Sequence, residues 1–239
     1  MNLYSTKVAR IVWFIKRFGV REVALKPLRL ILADWIIPRL SPTQFQFRGQ
    51  SYDTFFAKYN MTWVGERMVE VPIGRAIVAQ YAPDRVLEIG NVLSHYGPTQ
   101  HAIVDKYEKA PNVINSDILS YNPKNHFDLI ISISTFEHIG FDDDNEGSSG
   151  AKIASAIRHC RSLLTKTGRL IITFPTGYNP ELDSAVQNGL FGAERLDFMI
   201  RTAAREWKEG SSNDAMNAPY RSRFPYGNSL VVAEFGPAQ

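Results

Sequence analysis

Four apolar runs lie between Arg85 and Gly140: Arg85-Val86-Leu87-Glu88-Ile89-Gly90, Ala102-Ile103-Val104-Asp105, Val113-Ile114-Asn115-Ser116-Asp117 and Phe127-Asp128-Leu129-Ile130-Ile131-Ser132-Ile133-Ser134. The first three end at acids, and the fourth breaks at Thr135-Phe136-Glu137-His138. Continuous β-branched runs of this kind suit strands buried on both faces of a parallel sheet. Ligands of such sheets bind beyond the carboxyl ends of the strands. Glu88, Gly90, Asp105, Asp117 and Glu137 are expected to gather there, facing a ligand that carries hydroxyls and amines.

Working outward, the 239 residues suit one α/β domain with an extension. A content of 44% hydrophobic and 21% charged residues is ordinary for a globular chain with a sizeable core. The single cysteine, Cys160, excludes an internal disulfide and a cysteine-rich metal site. It falls in an expected helix, Ala151 to Leu164, as a small buried hydrophobe. A reducing, cytoplasmic setting fits one cysteine.

The net charge of +3 is unevenly placed. Residues 1–49 hold nine Lys/Arg and two acids, a net of +7, while the remainder holds 18 basic and 22 acidic residues, a net of −4. The core therefore gives no reason to expect a nucleic-acid partner. The extension reads as a basic amphipathic helix, with Val8, Ile11, Val12, Ile15 and Phe18 on one face and Lys7, Arg10, Arg17 and Arg21 beside it. A second apolar stretch, Leu28 to Leu40, is interrupted by Arg29 and Asp34 and closed by Pro38. Neither approaches the ~20 apolar residues of a membrane span, and no secretory cleavage pattern follows. Two readings stay open for residues 1–24: a helix on an anionic membrane surface, or an extension packed on the core or a second subunit.

Ser41 to Arg67 is rich in aromatics (Phe45, Phe47, Tyr52, Phe55, Phe56, Tyr59, Trp63) and reads as packing against the sheet, or as a lid over a pocket. Pro72 is expected to open a helix that runs to about Tyr81. Lys166-Thr167-Gly168 reads as a turn before a fifth strand, Arg169 to Phe174, and Leu196 to Arg205 and Ser229 to Phe235 read as later strands.

Glycine at position 90 lets the backbone turn sharply and approach a ligand. Asp105 is placed to accept hydrogen bonds from a ribose diol, and Asp117 from the exocyclic amine of an adenine. In this order and spacing the chain resembles the class I S-adenosylmethionine-dependent methyltransferases, well over Arg85 to Phe174 and loosely beyond. The resemblance implies a Rossmann-like, doubly wound, mostly parallel seven-stranded sheet (α/β), here with a helical extension at residues 1–49 and the main domain at 50–239. It implies S-adenosylmethionine as cofactor. Glu88 and Gly90 would cradle its methionine and ribose end, Asp105 the ribose hydroxyls, and Asp117 the adenine amine with Ile118 beside the ring. Asn91 and Ser134, at the ends of the first and fourth strands, join that set. Phe127-Asp128-Leu129-Ile130 with Phe136-Glu137-His138 is similar to the family's fourth-strand motif, and Leu163 to Leu170 to its turn into strand five.

The chain departs from the family at the glycines. A Gly-x-Gly-x-Gly run would put glycines at 90, 92 and 94, where the chain has Gly90, Val92 and Ser94. A β-branched Val92 resists positive φ, so the loop is expected to take another course. Asn91 to Gln100, with Pro98 inside, leaves little room for the usual first helix, and Asn91, Ser94, His95 and Tyr96 are the polar residues available to it. A dinucleotide needs those glycines for its pyrophosphate; S-adenosylmethionine has no phosphates.

Methyl transfer depends on alignment, with a base where the acceptor loses a proton. Glu137 and His138 are the catalytic candidates, His138 as general base for a hydroxyl, against the plainer role of capping or packing. Tyr178 and Asn179, after strand five, are candidates for orienting an acceptor. No Asn-Pro-Pro-Tyr follows strand four, which argues against methylation of DNA amines. Asp142-Asp143-Asp144 with Glu146 reads as a solvated acidic loop rather than a metal site. His101, His126 and His159 show no ligand spacing, and no Gly-x-Ser-x-Gly elbow occurs. The expected activity is O-methylation of a small or lipid-linked acceptor, such as a sugar or polysaccharide precursor. The alternatives are a non-catalytic methyltransferase-like scaffold and a nucleotide-sugar or nicotinamide enzyme.

Overall fold

The computed structural model describes residues 7–142 and 148–238, without the side chains of 7–14 and 16–18. The apolar and basic side chains assigned to the first helical face therefore lie largely outside the described residues, as do Asp143, Asp144 and Glu146.

Helix α1, Lys7–Ile36, consists of two helical segments joined at Gly19, whose φ of 80° and ψ of 158° interrupt the helix. A 3-10 turn at Ile37–Arg39 holds Pro38 and ends it. A hairpin follows, β1 (Gln44–Phe47) and β2 (Gln50–Asp53), turning through Arg48 and Gly49, both at positive φ. It crosses the expected domain boundary at residue 49. Of the aromatics noted in sequence, Phe45 and Phe47 pack with Trp207 in the core, while Tyr59 reaches a cavity wall, so packing and lining are divided among them.

Helix α2 spans Arg67–Val78, five residues earlier than its expected start at Pro72. Proline inside a helix leaves the carbonyl four residues back without a partner. Here that carbonyl, of Met68, accepts from the backbone N–H of Phe55 at 2.8 Å. The surrounding chain meets the hydrogen-bonding cost of Pro72.

The remaining elements are β3 (Val86–Ile89), β4 (Ala102–Asp105), β5 (Val113–Asn115), β6 (Phe127–Ile133), α3 (Ser149–Ser162), β7 (Leu164–Phe174), α4 (Pro180–Gln187), β8 (Arg195–Ala203), β9 (Glu206–Gly210), α5 (Ser212–Met216) and β10 (Ser229–Phe235). Their sheet has the order β5-β4-β3-β6-β7-β10-β8-β9. The pairs from β5 through β7 are parallel, and those from β7 to β9 antiparallel. The fold is Rossmann-like α/β, with eight strands where seven were expected. The eighth, β9, is a polar-rich edge strand, exposed except at Trp207, too short and charged to stand out in sequence. Strand β7 begins at Leu164, so Lys166-Thr167-Gly168 lies inside it; Gly168 is needed there because a Cβ would come within 2.7 Å of the Phe127 carbonyl.

One apolar layer, beneath α2, joins Met68, Ile73 and Ile77 to Leu129, Ile131 and Leu230. The other, beneath α3 and α4, joins Ile153, Ile157 and Leu182 to Leu87, Ile130 and Ile172. Cys160 is fully buried in that second layer, and burial pushes its thiol pKa up. From β3 the chain runs outward through β4 and β5, then returns to β6 on the other side of β3. The resulting switch point opens a crevice at the carboxyl ends of β3 and β6.

Candidate functional site

A cavity of about 760 Å³ lies over that crevice, within the usual range for a small-molecule site. Gly90, Asp105, Asp117, Ile118 and Ser134 line one part of it; Glu137, His138, Asp142 and Tyr178 line another. Glu88, Asn91 and Asn179 are not among its lining residues.

Glu88 is fully buried and committed to the chain itself. Its Oε1 accepts from the N–H groups of Val92 and Leu93 at 2.9 and 2.8 Å, and its Oε2 lies 2.7 Å from His101 Nε2. It organises the loop after β3 rather than facing the cavity. Val92 sits at φ −114°, so the loop takes the course expected without positive φ there. One 3-10 turn, Leu93–Tyr96, replaces the usual helix. Gly90 is at φ +83°, and a Cβ would meet Thr135 Oγ1 at 2.2 Å, so only glycine fits.

Asp105 accepts from the N–H groups of Tyr107 and Glu108 with Oδ1, each at 2.7 Å, and from Asn91 N–H with Oδ2 at 3.1 Å. Asn91 is a bracket: its side-chain amide donates to Glu108 at 2.8 Å, and its oxygen accepts from Ser94. The N–H groups of residues 91, 92 and 93 are thus all taken by Asp105 and Glu88. A pyrophosphate, which needs such donors, has none free here. A carboxylate offers about four acceptor positions, and Asp105 retains room for a hydroxyl at the cavity wall. Asp117 caps the turn Ile118–Ser120 through Leu119 N–H at 3.0 Å and pairs with Lys106 at 3.2 Å. Ile118, nearly buried, presents an apolar surface beside it. Ser134, at a φ of 37°, donates to Glu70 at 2.7 Å.

The other part of the cavity is differently built. Asp142 Oδ2 holds His138 Nδ1 and also accepts from the Tyr178 hydroxyl at 2.8 Å. Tyr178 meets the His138 ring edge-on at 4.8 Å and Tyr220 at 5.3 Å, which fixes its own plane. His138 Nε2 is 3.8 Å from Glu137 Oε1. Burial lowers the His138 pKa, but the Asp142 hydrogen bond and the charges of Glu137 and Asp142 outweigh it, and the net shift is upward. Glu137 is buried, which raises its pKa to about 7, and its Oε2 has no hydrogen-bond partner. Asn179 supports this group from behind: it caps α4 through Glu181 N–H at 3.1 Å and donates to the Glu137 carbonyl at 3.1 Å.

Glu66, Arg67 and Tyr220 also line the cavity and were not singled out in sequence, and Asp142, read there as part of a solvated acidic loop, is instead drawn in by His138 and Tyr178 with its side chain 6% exposed. Glu66 Oε2 accepts from Gly227 N–H at 2.6 Å, while Arg67 lies 3.1 Å from the fully buried Glu70. The spacing of Asp142 four residues after His138 was the one available signal; the other three are brought in from distant segments.

No protein-family model and no curated protein sequence matches the chain. Solved structures do. An N-methyltransferase, NodS from Bradyrhizobium japonicum, in complex with S-adenosyl-L-homocysteine, matches with a TM-score of 0.45 and 14% identity, over 73% of this chain and 88% of that chain. A TehB-like S-adenosylmethionine-dependent methyltransferase from Corynebacterium glutamicum matches with a TM-score of 0.41 and 16% identity, over 71% and 87%. The sugar N-methyltransferase KedS8 from a Streptoalloteichus species matches with a TM-score of 0.36 and 14% identity, over 71% and 87%. With its switch point between β3 and β6 and its antiparallel strands beyond β7, the chain has a Rossmann-like, doubly wound α/β fold.

Proposed function

We propose that the chain is an S-adenosylmethionine-dependent methyltransferase that methylates oxygen on a small or lipid-linked acceptor, a sugar or polysaccharide precursor being the class in view. The observation that carries this reading is one cavity with a hydroxyl-accepting carboxylate, Asp105, in one wall and an Asp142-oriented histidine, His138, in another. The consumed N–H groups of the β3 loop favour an adenosine ligand without phosphates. Asp105 would hold the ribose, Asp117 the adenine amine and Ile118 the ring face. When bound, the cofactor supplies an electrophilic methyl group.

His138 is the base of this scheme. With Nδ1 held by Asp142, its Nε2 is the nitrogen left to take the acceptor's proton. Glu137 beside it favours the imidazolium that results. Tyr178, tied to Asp142, keeps the pair aligned, which is where much of the rate of a displacement arises. Residues 1–24 would hold the chain at the inner membrane face, beside a lipid-linked acceptor.

A second reading, a scaffold without catalysis, draws on the hydrogen bonds that Asp105 and Asp117 already make within the chain. Calorimetric titration separates these. The methyltransferase reading expects S-adenosylmethionine and S-adenosylhomocysteine to bind, and Asp105→Ala to weaken both. Binding of neither selects the scaffold, and binding of NAD alone overturns the assignment.

A further inference from the structure

The second segment of α1 is apolar on both sides. Its inner side, with Leu30, Ala33, Ile36 and Ile37, packs against Met61 and Trp63. Its outer side carries Leu28, Ile31, Leu32 and Trp35, at the i, i+3, i+4, i+7 spacing of one helical stripe, exposed by 51%, 71%, 41% and 67%. Val20, directly after the Gly19 bend, is 70% exposed as well. An exposed apolar stripe of this kind on a helix whose opposite side is already packed marks a contact surface. Among the described residues no helix is long and apolar enough to cross a membrane, so this one does not span.

Charge selects the occupant. Residues 1–49 carry a net of +7; Glu22 pairs with Arg29 at 2.5 Å, Asp34 with Lys58 at 2.8 Å and Arg48 with Asp197 at 2.8 Å, while Arg21 and Arg39 stay exposed. Arg39, exposed at the end of the stripe, lies 5.5 Å over the Trp35 ring and donates to the Trp35 carbonyl at 2.6 Å. A tryptophan beside an arginine is the pairing suited to a headgroup boundary. A second copy of the chain would bring a like charge of +7 against this one, whereas an anionic bilayer attracts it.

We infer that the stripe Leu28-Ile31-Leu32-Trp35 inserts into an anionic lipid surface. The inner side of the same helical segment, opposite the stripe, reaches the cavity through Lys26. This rests on the lipid-linked reading above and relocates its contact, from residues 1–24 to the exposed face of the second helical segment.

The test is co-sedimentation of the full chain with vesicles of phosphatidylcholine containing phosphatidylglycerol, and with vesicles of phosphatidylcholine alone. Ile31→Glu/Trp35→Glu and a deletion of residues 1–18 are compared with it. Circular dichroism and S-adenosylmethionine titration on the same samples report folding and the methyltransferase reading independently. The full chain is expected to bind the anionic vesicles with a blue shift of tryptophan emission, and the double variant to lose about tenfold or more in binding while remaining folded. Failure of the full chain to bind, equal binding to both vesicle types, or equal binding by the double variant overturns the inference. So does a loss seen only in the deletion, which would return the contact to the first segment. A concentration-dependent dimer that the double variant dissolves would assign the stripe to a second copy instead. Should the double variant fail to fold, Trp35→Ser alone, read by co-sedimentation, gives the same reading.

Discussion

Two sets of strand-end acids face each other across the crevice, and the chain uses them differently. After β3 and β4, Glu88 and Asp105 spend their oxygens on backbone N–H groups of residues 91–93, 107 and 108. After β6, Glu137 keeps one buried oxygen without a partner, and His138 keeps Nε2 toward Glu137 and the cavity. The first set builds a loop that glycines would otherwise have built. The second holds open valences in a buried place, which is the condition for chemistry. An acid at a strand end therefore has no fixed meaning until its hydrogen bonds are followed.

The largest effect should come from the structural side. Glu88→Ala strands two backbone N–H groups and His101 in the core, and it should cost about 3–5 kcal/mol in chemical denaturation. A stability unchanged by this substitution would erase the contrast. Next, if His138 is the base, His138→Gln should lower kcat by about a hundredfold or more, with cofactor affinity in calorimetry unchanged. A parallel loss of affinity would mean that His138 supports the cofactor instead.

Asp105 lies between the two sets, since it serves the loop and lines the cavity. Asp105→Asn keeps the shape and one acceptor oxygen, so cofactor affinity should fall by about tenfold, measured by titration, with a small loss of stability. The smallest effects are those of pH. The raised His138 pKa places the acidic limb of kcat above 6.5, and Asp142→Asn should move that limb to lower pH while reducing kcat. For Glu137 the folded pKa of about 7 exceeds the ordinary 4.5, so the folded state binds the proton more tightly. Its contribution is favourable at low pH and is lost as pH rises through 7. Glu137→Gln should therefore stabilise the protein at pH ~8 by roughly 1–2 kcal/mol and not at pH ~4, as thermal melts at both values would show.

Much of the sheet was readable before the structure. The strands over Val86–Ile89, Ala102–Asp105, Val113–Asn115 and Phe127–Ile133 follow the four apolar runs. The start of α2 was not readable, because Pro72 is a local stop signal whose consequence is settled by Phe55, far along the chain. The eighth strand was hidden because an edge strand with one buried side chain leaves little pattern.

By itself, then, the sequence determined where apolar runs end in acids, and so where a crevice forms, because burial on both faces of a parallel sheet demands those runs. It also determined that Val92 itself would stay out of positive φ. Only the tertiary structure decided which acids remain open to a ligand. That depends on which N–H groups from other segments reach each carboxylate, and a buried oxygen counts as available only when none does.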